Sequence, residues 1–365
     1  MAVTPRVHHG VVRGTASRPP LSGLEPNPDP GTTAGGSTGL EAAARRLAAL
    51  LGGGAGGLAD PNPASDLRFE AEPEIRPLTR RPGPHEVWAV DGGQCLVADA
   101  RCVQLLATRA ARVRFLDGEC VLEDEGDIRA TVLGGQADRL AALGSLGRHH
   151  GPGAGIAAES SVDVNLLRDH DEWVAVSRAV DDAGPGAMVL VDGDLQPDWR
   201  IPSTFLAGLL ERAAARGVTL AGVTKHTSLA RGGAPLLGWL EGEAEAALGP
   251  RTTWWARIGR TRADVGGVQV VAARLDPDAR FSFRVDLPLD ADAEHELGRL
   301  SALADDAAFP GYPYALSVAD RLAACPGWLR AELRARLDDL FDLAGLPLDV
   351  RERAFTDRHA LMERG

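Results

Sequence analysis

The sequence predicts an α/β protein. Its sheet is mixed, antiparallel at first and parallel further on, flanked by helices, with additional strands and a helical C-terminal region. Three observations predict it. Short apolar runs separated by turn residues fill 87–132, the pattern of an antiparallel meander. From 162 to 227 the spacing gives helix, strand, helix, strand, an order that implies right-handed crossovers and parallel pairing. Beyond 290 the spacing is mostly helical.

Taken in order, residues 1–38 are rich in Gly, Pro, Ser and Thr. Such a segment buries too little apolar surface to offset its chain entropy, so a disordered tail is expected. Residues 39–84 read as an N-terminal helix and linker. The helix is "LEAAARRLAALLGG", closed by glycines, and "ADPNPASD" is a loop. The core is expected over 85–230. Its meander holds "VWAV", "QCLVAD", "CVQLLATRAARVRFL", "CVLED" and "IRATVL", with turns at "LDGE" and "EDEGD". A Gly- and His-containing connection, "LGSLGRHHGPGAG", leads to a helix over Val162 to Ala183. The strand "AMVLVDGDL", the helix "PSTFLAGLLERAAARG" and the strand "VTLAGVTKHT" follow. This order of elements is the one expected of a ribonuclease H-like fold. Additional strands are expected within 250–290, and 290–365 forms the helical C-terminal part.

Bulk properties narrow the function classes. With 51 acidic against 39 basic residues the net charge is −12. That excludes a general nucleic-acid coat, whose binding rests on neutralising phosphates. It leaves room for a nuclease, because an acidic body can carry a basic groove and metal-binding carboxylates add negative charge themselves. The four cysteines, Cys95, Cys102, Cys120 and Cys325, form no CxxC pair, so reduced thiols in a cytosolic protein are expected rather than a zinc knuckle. No apolar run approaches the roughly 18 residues of a membrane span. No basic region followed by an apolar stretch opens the chain, so a cytoplasmic location is expected.

One phrase occurs twice. "VWAVDGG" and "MVLVDGDL" each deliver an aspartate, Asp91 and Asp192, after an apolar run. If each ends a strand and the two strands are neighbours, both carboxylates emerge at one sheet edge, where sites collect. Paired carboxylates repel unless a cation lies between them, and Mg²⁺ and Mn²⁺ favour such oxygen ligands. Gly92, Gly93 and Gly193 would leave room for a phosphate. Two strand-ending Asp-Gly turns would read the same way. A third acid is available in "RDHDEW", where Asp169 or Asp171 can cap the helix and Glu172 lies inside it. Lys225, after the next strand, could steady a phosphate or be a solvated loop lysine. His359, in a terminal segment, is not singled out by pattern.

The series "AVDGG", Glu172, "LVDGDL", "GVTKHTS", "FPGYPYALSVADRLA" and "DRHALM", in this order, resembles the NurA nuclease domain from about residue 85 to the C-terminus. The resemblance implies a ribonuclease H-like core and a manganese-dependent DNA nuclease, with Mg²⁺ as the alternative ion. It implies 5′ to 3′ exonuclease and single-strand endonuclease activity, and a homodimer with a central channel. The implied partner is HerA, a hexameric DNA-translocating ATPase, in end resection for recombinational repair. Carried over position by position, it implies metal ligation by Asp91, Glu172, Asp192 and His359 around two ions, with Lys225 at the matching strand end. Arg101, Arg112, Arg114, Arg257 and Arg260 are candidates for a phosphate track. The sequence departs from the family at Gly93, where a serine is usual, and Asp171 competes with Glu172 for the acidic position.

Three other readings fit parts of the pattern. An actin-like ATPase would use the two VDG turns as phosphate clasps, though "RGGAPLLG" is a poor adenosine loop. A NurA-like scaffold without activity would fit the Gly93 departure. A sugar transferase would use Asp192-Gly193-Asp194.

Overall fold

The computed structural model describes residues 39–53, 56–61, 66–150, 164–196, 203–262, 267–356 and 362. The tail expected over 1–38 lies outside them. The chain divides into two units, Met1–Ala48 and Ala49–Gly365. Helix α1 (Gly39–Gly53) begins in the first, and every other described element belongs to the second.

Fourteen strands are found among the described residues. Three short ones, β1 (Leu58–Ala59), β2 (Arg68–Phe69) and β3 (Ile75–Pro77), come from the stretch read as helix and linker. The core meander is β4 (Glu86–Asp99), β5 (Gln104–Leu116), β6 (Glu119–Asp124) and β7 (Arg129–Leu133). Helices α2 (Gln136–His150) and α3 (Val164–Asp182) lead to β8 (Met188–Asp192), α4 (Ser203–Ala215) and β9 (Thr219–Thr224). Then come β10 (Ala230–Arg231), β11 (Ala234–Pro235), α5 (Leu236–Leu248), β12 (Trp254–Arg260), β13 (Val268–Arg274) and β14 (Phe283–Pro288). Among the described residues four helices follow: α6 (Ala293–Ser301), α7 (Tyr314–Ala323), α8 (Gly327–Leu343) and α9 (Leu348–Phe355).

The main sheet runs β2-β12-β13-β14-β9-β8-β4-β5-β6, with β3 added on β12 and β7 on β5. The pairs β4–β8 and β8–β9 are parallel, and the other neighbours are antiparallel. This is the mixed α/β sheet the sequence predicts.

Strand alternation divides the core into two layers, since successive side chains point to opposite faces. Trp88 and Val90 of β4, with Val189 and Val191 of β8, pack against Val176 and Val180 of α3 and Leu206 and Leu209 of α4. Val87, Ala89, Met188 and Leu190 pack the other way, against Leu297 of α6 and Leu316 and Ala319 of α7. Two covered faces explain why these strands read as unbroken apolar runs rather than alternating ones. Gly217, at φ 69°, ends α4 with the paired bonds Val218 N to Ala213 O and Gly217 N to Ala214 O, which turn the chain into β9.

Besides the short strands in the linker, the structure differs from the expected elements in two further places. Helix α2 runs into the stretch read as a Gly- and His-containing connection, and its Ala142 packs into a small cluster with Leu133, Leu166 and Leu167. More consequentially, Asp91 does not end a strand. The two runs "VWAV" and "QCLVAD" are one strand, β4, which passes straight through Asp91-Gly92-Gly93. Its pairing with β5 continues along this stretch, with Asp91 opposite Ala111 and Gly93 opposite Arg109. The parallel partner β8 covers only Val87 to Val90, so Asp91 marks where β4 leaves its parallel neighbour.

Among the buried polar groups, Arg284 and Asp286 on β14 form a two-bond ion pair (2.8 and 2.7 Å), and Asp286 also accepts from Leu195 N at 3.0 Å. Asp286 is fully buried. Replacing Arg284 by methionine leaves that carboxylate unpaired, so we expect a loss of about 3–5 kcal/mol in urea unfolding. A loss below about 1 kcal/mol would show that the pair adds little.

Candidate metal centre

Three elements bring one aspartate each to a common point. Asp91 comes from the middle of β4, Asp192 from the end of β8, and Asp320 from the last turn of α7. One carboxylate oxygen from each lies within 4.8 Å of the others. By strand parity Asp91 and Asp192 share the face that α7 covers. Asp320 was not singled out in the sequence. Its signal lay inside "GYPYALSVAD", whose spacing shows only an amphipathic helix.

The local packing explains how α7 reaches the sheet. Gly93 points at the α7 end, and a Cβ there would overlap the Ala323 carbonyl. Opposite Gly93 on β5, the buried Arg109 donates from Nε to Ala323 O at 3.1 Å and from Nη2 to Ala324 O. A guanidinium at a helix C-terminus satisfies carbonyls that lack intrahelical donors and complements the helix dipole. One position supplies the room and its cross-strand partner supplies the bonds. The space at Gly93, read from sequence as room for a phosphate, is taken by the protein's own helix.

Gly92 faces the other layer. A Cβ there would stand 2.9 Å from Glu172 Oε2 and 3.0 Å from Arg168 Cγ. Glu172 therefore fills the space a Gly92 side chain would take. It sits behind the strand, beside Asp91 but outside the three-oxygen cluster. Its neighbour Asp171 turns away, accepting from Thr108 Oγ1 at 2.6 Å and pairing with Arg129 at 2.7 Å. Asp169 pairs with Arg168 at 2.6 Å. Of the three acids in "RDHDEW", the one beside Asp91 is thus Glu172.

Lys225, just past β9, donates from Nζ to Asp192 Oδ2 at 2.7 Å and to Asp320 Oδ1 at 3.2 Å. It also lies 4.9 Å from the centre of the Tyr312 ring. Asp194 does not join the cluster: it pairs with Arg284 at 3.2 Å. That removes the second carboxylate from the sugar-transferase reading. The actin-like reading loses its first clasp, because Asp91-Gly92-Gly93 is extended strand rather than a turn. His359 lies outside the described residues.

The electrostatics of the site are those of excess negative charge. Burial, then the nearby Asp192, pushes the Asp91 carboxyl up to about 7, against the opposing bond from Gly92 N at 2.7 Å. Burial and the charge of Asp91 raise Glu172 well above the usual carboxylate range. Burial, followed by Asp192 and Asp91, keeps the proton on Tyr312. Lys225 goes up despite its burial, because Asp192 and Asp320 favour the ammonium. Three aspartates meeting at one point, one of them held protonated by burial and by its neighbour's charge, are hard oxygen donors that suit a divalent cation such as Mg²⁺ or Mn²⁺.

The arginines proposed for a phosphate track are differently employed. Arg112 pairs with Asp124 and Asp182, both at 2.9 Å, and Arg114 pairs with Glu86 at 2.8 Å. Both lie over the Trp88 ring. Arg101 is exposed in the β4–β5 turn. Arg257 and Arg260 line a cleft with Arg68 and Arg262 toward the β2 edge, several strands from the cluster.

The fold is similar to that of the NurA nuclease from Sulfolobus solfataricus, with a TM-score of 0.54 and 13% identity over 84% of this chain and 95% of that one. A second NurA structure aligns with a TM-score of 0.42 and 8% identity, over 67% of this chain and 86% of that one. The catalytic domain of human Endonuclease V aligns with a TM-score of 0.36 and 15% identity, over 74% and 92%. The first of these establishes a NurA-like fold, and the other two carry no weight. No protein-family model and no curated protein matches the chain.

Two outcomes follow from the packing and the charge. Gly93→Ser forces α7 off the strand, so urea unfolding should show a loss of about 1–3 kcal/mol, the scale of overpacking. An unchanged midpoint would mean that α7 does not need the glycine. For pH, Asp91 holds its proton in the fold to about 7 but from 3.8 upward loses it when unfolded. The stability this gives is complete below about pH 4 and is lost as pH rises through about 7. Chelator-treated protein should therefore lose melting temperature over that window, and Asp91→Asn should flatten the slope. An equally steep slope in the variant would remove Asp91 as its source.

Proposed function

We propose that the chain is a divalent-metal-dependent DNA nuclease. In this reading it degrades DNA 5′ to 3′ from ends and cuts single strands internally. It acts as a cytoplasmic homodimer in end resection and recombinational repair, with a HerA-type hexameric ATPase as partner. The observation that carries the reading is the convergence of Asp91, Asp192 and Asp320, from two strands and a helix, within a NurA-like fold. Among the described residues no helix is long and apolar enough to cross a membrane.

Asp91, Asp192 and Asp320 would hold the metal, with Glu172 behind Asp91 and His359 as further candidate ligands. Two Mn²⁺ or Mg²⁺ ions, when bound, would supply a more acidic attacking water and charge stabilisation at the leaving oxygen. The protein's own contribution is positioning and charge. Asp91 is fixed by the strand and by its bond from Gly92 N. Asp320 is fixed by Gly93 and Arg109 through the end of α7. Lys225, bonded to Asp192 and Asp320, places an ammonium at the cluster that can attract a phosphate. Arg168, whose guanidinium feels Glu172 and Asp91, is a second cation beside the site. The net charge of −12 is compatible with a DNA substrate if basic groups border the path the strand takes.

The test is cleavage of a 5′-labelled single-stranded oligonucleotide in Mn²⁺. Asp91→Asn, Asp192→Asn and Asp320→Asn should each lower the rate by about 100-fold or more, the scale of losing one group that stabilises transition-state charge. Chelation should abolish cleavage. Wild-type protein that cuts no DNA in Mn²⁺ or Mg²⁺ would leave the scaffold reading in its place. Full activity in the Asp320 variant would remove α7 from the site.

A further inference from the structure

A cleft of about 810 Å³ opens directly beside the acidic cluster and shares Lys225, Tyr312 and Asp320 with it. We propose that this cleft is a base-binding subsite, holding an unpaired nucleobase next to the phosphate being cut. The proposal rests on the nuclease reading and adds to it a place for the base.

Three observations carry it. The first is aromatic exposure. Phe281 is 58% and Phe309 65% exposed, and both line the cleft. The remaining phenylalanine of the cleft, Phe283, packs against Tyr312 with ring centres 5.4 Å apart, so the aromatic surface continues to the cluster. Exposed rings are sequence-tolerant platforms, because every base presents a π-face. The second is size. The volume falls within the several-hundred to thousand Å³ typical of small-molecule sites. The third is charge. Lys225 stands where the cleft meets the cluster, and the Arg280 guanidinium lies 5.2 Å from the Phe281 ring centre. The acid on the α5 wall, Glu241, is already satisfied by Ser282 N at 2.6 Å and Ser282 Oγ at 2.7 Å. An aromatic cleft with cationic edges, abutting a group suited to a phosphate-bound metal, fits a flat ring tethered to a phosphate. A base inside a duplex would first have to leave its stack, whereas a base in a single strand is free to enter.

The test uses single-stranded oligonucleotides carrying 2-aminopurine, whose fluorescence falls on stacking, bound in Ca²⁺. Wild type should quench the probe, and Phe281→Ala with Phe309→Ala should remove the quenching. Both side chains are exposed, so the melting temperature should hold. In Mn²⁺ the double variant should raise KM for a single strand about tenfold while kcat stays within about twofold, as loss of stacking predicts. An abasic residue beside the scissile phosphate should raise KM for wild type and leave the double variant unaffected. Undiminished quenching in the double variant, or an abasic penalty equal in both proteins, overturns the subsite. Absence of metal-dependent cleavage by wild type would overturn the nuclease reading instead, while the quenching still decides the cleft.

Discussion

The close approach of the α7 C-terminus to β4 is the contact on which the candidate site depends. Asp91 and Asp192 are adjacent because β4 and β8 are parallel neighbours, which the backbone ladder secures. Asp320 has no such ladder. The apolar packing of Leu316 and Ala319 seats α7 on this face, and its C-terminal end comes close because Gly93 lets the Ala323 carbonyl reach the strand and Arg109, directly across on β5, bonds that carbonyl and the next. A side chain at Gly93 displaces the helix, and loss of Arg109 removes the donor from the carbonyls of buried Ala323 and of Ala324. The contact accounts for a glycine at this position.

The same strand works differently one residue earlier. Gly92 faces α3, and Glu172 enters the space it leaves. Two consecutive glycines thus admit one element from each covering layer, α3 from one side and α7 from the other. The consequence is electrostatic. Three aspartates meet beside Lys225 with Glu172 behind the strand, and burial together with the neighbouring negative charge favours the protonated forms of Asp91 and Glu172. Neutral carboxyls are a costly resting state for groups otherwise ionised at neutral pH, and a divalent cation relieves it. Other charges are paired off one with another: Arg284 with Asp286 in the buried β14 pair, and Arg112 with Asp182 and Arg114 with Glu86 nearer the surface. The unbalanced cluster stands out against that background.

Acidity outside the cluster is spent on structure. Asp194 continues the Asp192 phrase but binds Arg284, and Asp171 continues the helix phrase but binds Thr108 and Arg129. Asp171 and Glu172 diverge because successive residues of a helix point in different directions, and Asp194 leaves Asp192 because the strand ends there and Gly193 turns the chain. The arginines show the mirror image. Abundant in the sequence, several of them lie over Trp88 or pair with carboxylates, so their number says little about a phosphate path.

The sequence by itself determined the elements whose signal is local. Apolar runs and helical spacing located β8, β9, α3, α4 and α7. The repeated VDG placed Asp192 at a strand end, and the alternation of helix and strand implied the parallel pairs. The tertiary structure decided what depends on distant partners. Asp-Gly-Gly is a turn signal locally, but pairing with β5 holds it extended. Asp171 and Glu172 are equivalent in composition, and only the packing of α3 on Gly92 separates them. Asp320 lies more than a hundred residues from Asp192, and nothing within its own helix marks it. Periodicity reports which face a residue occupies, whereas a site needs to know which other faces arrive there, and that is settled by long-range packing.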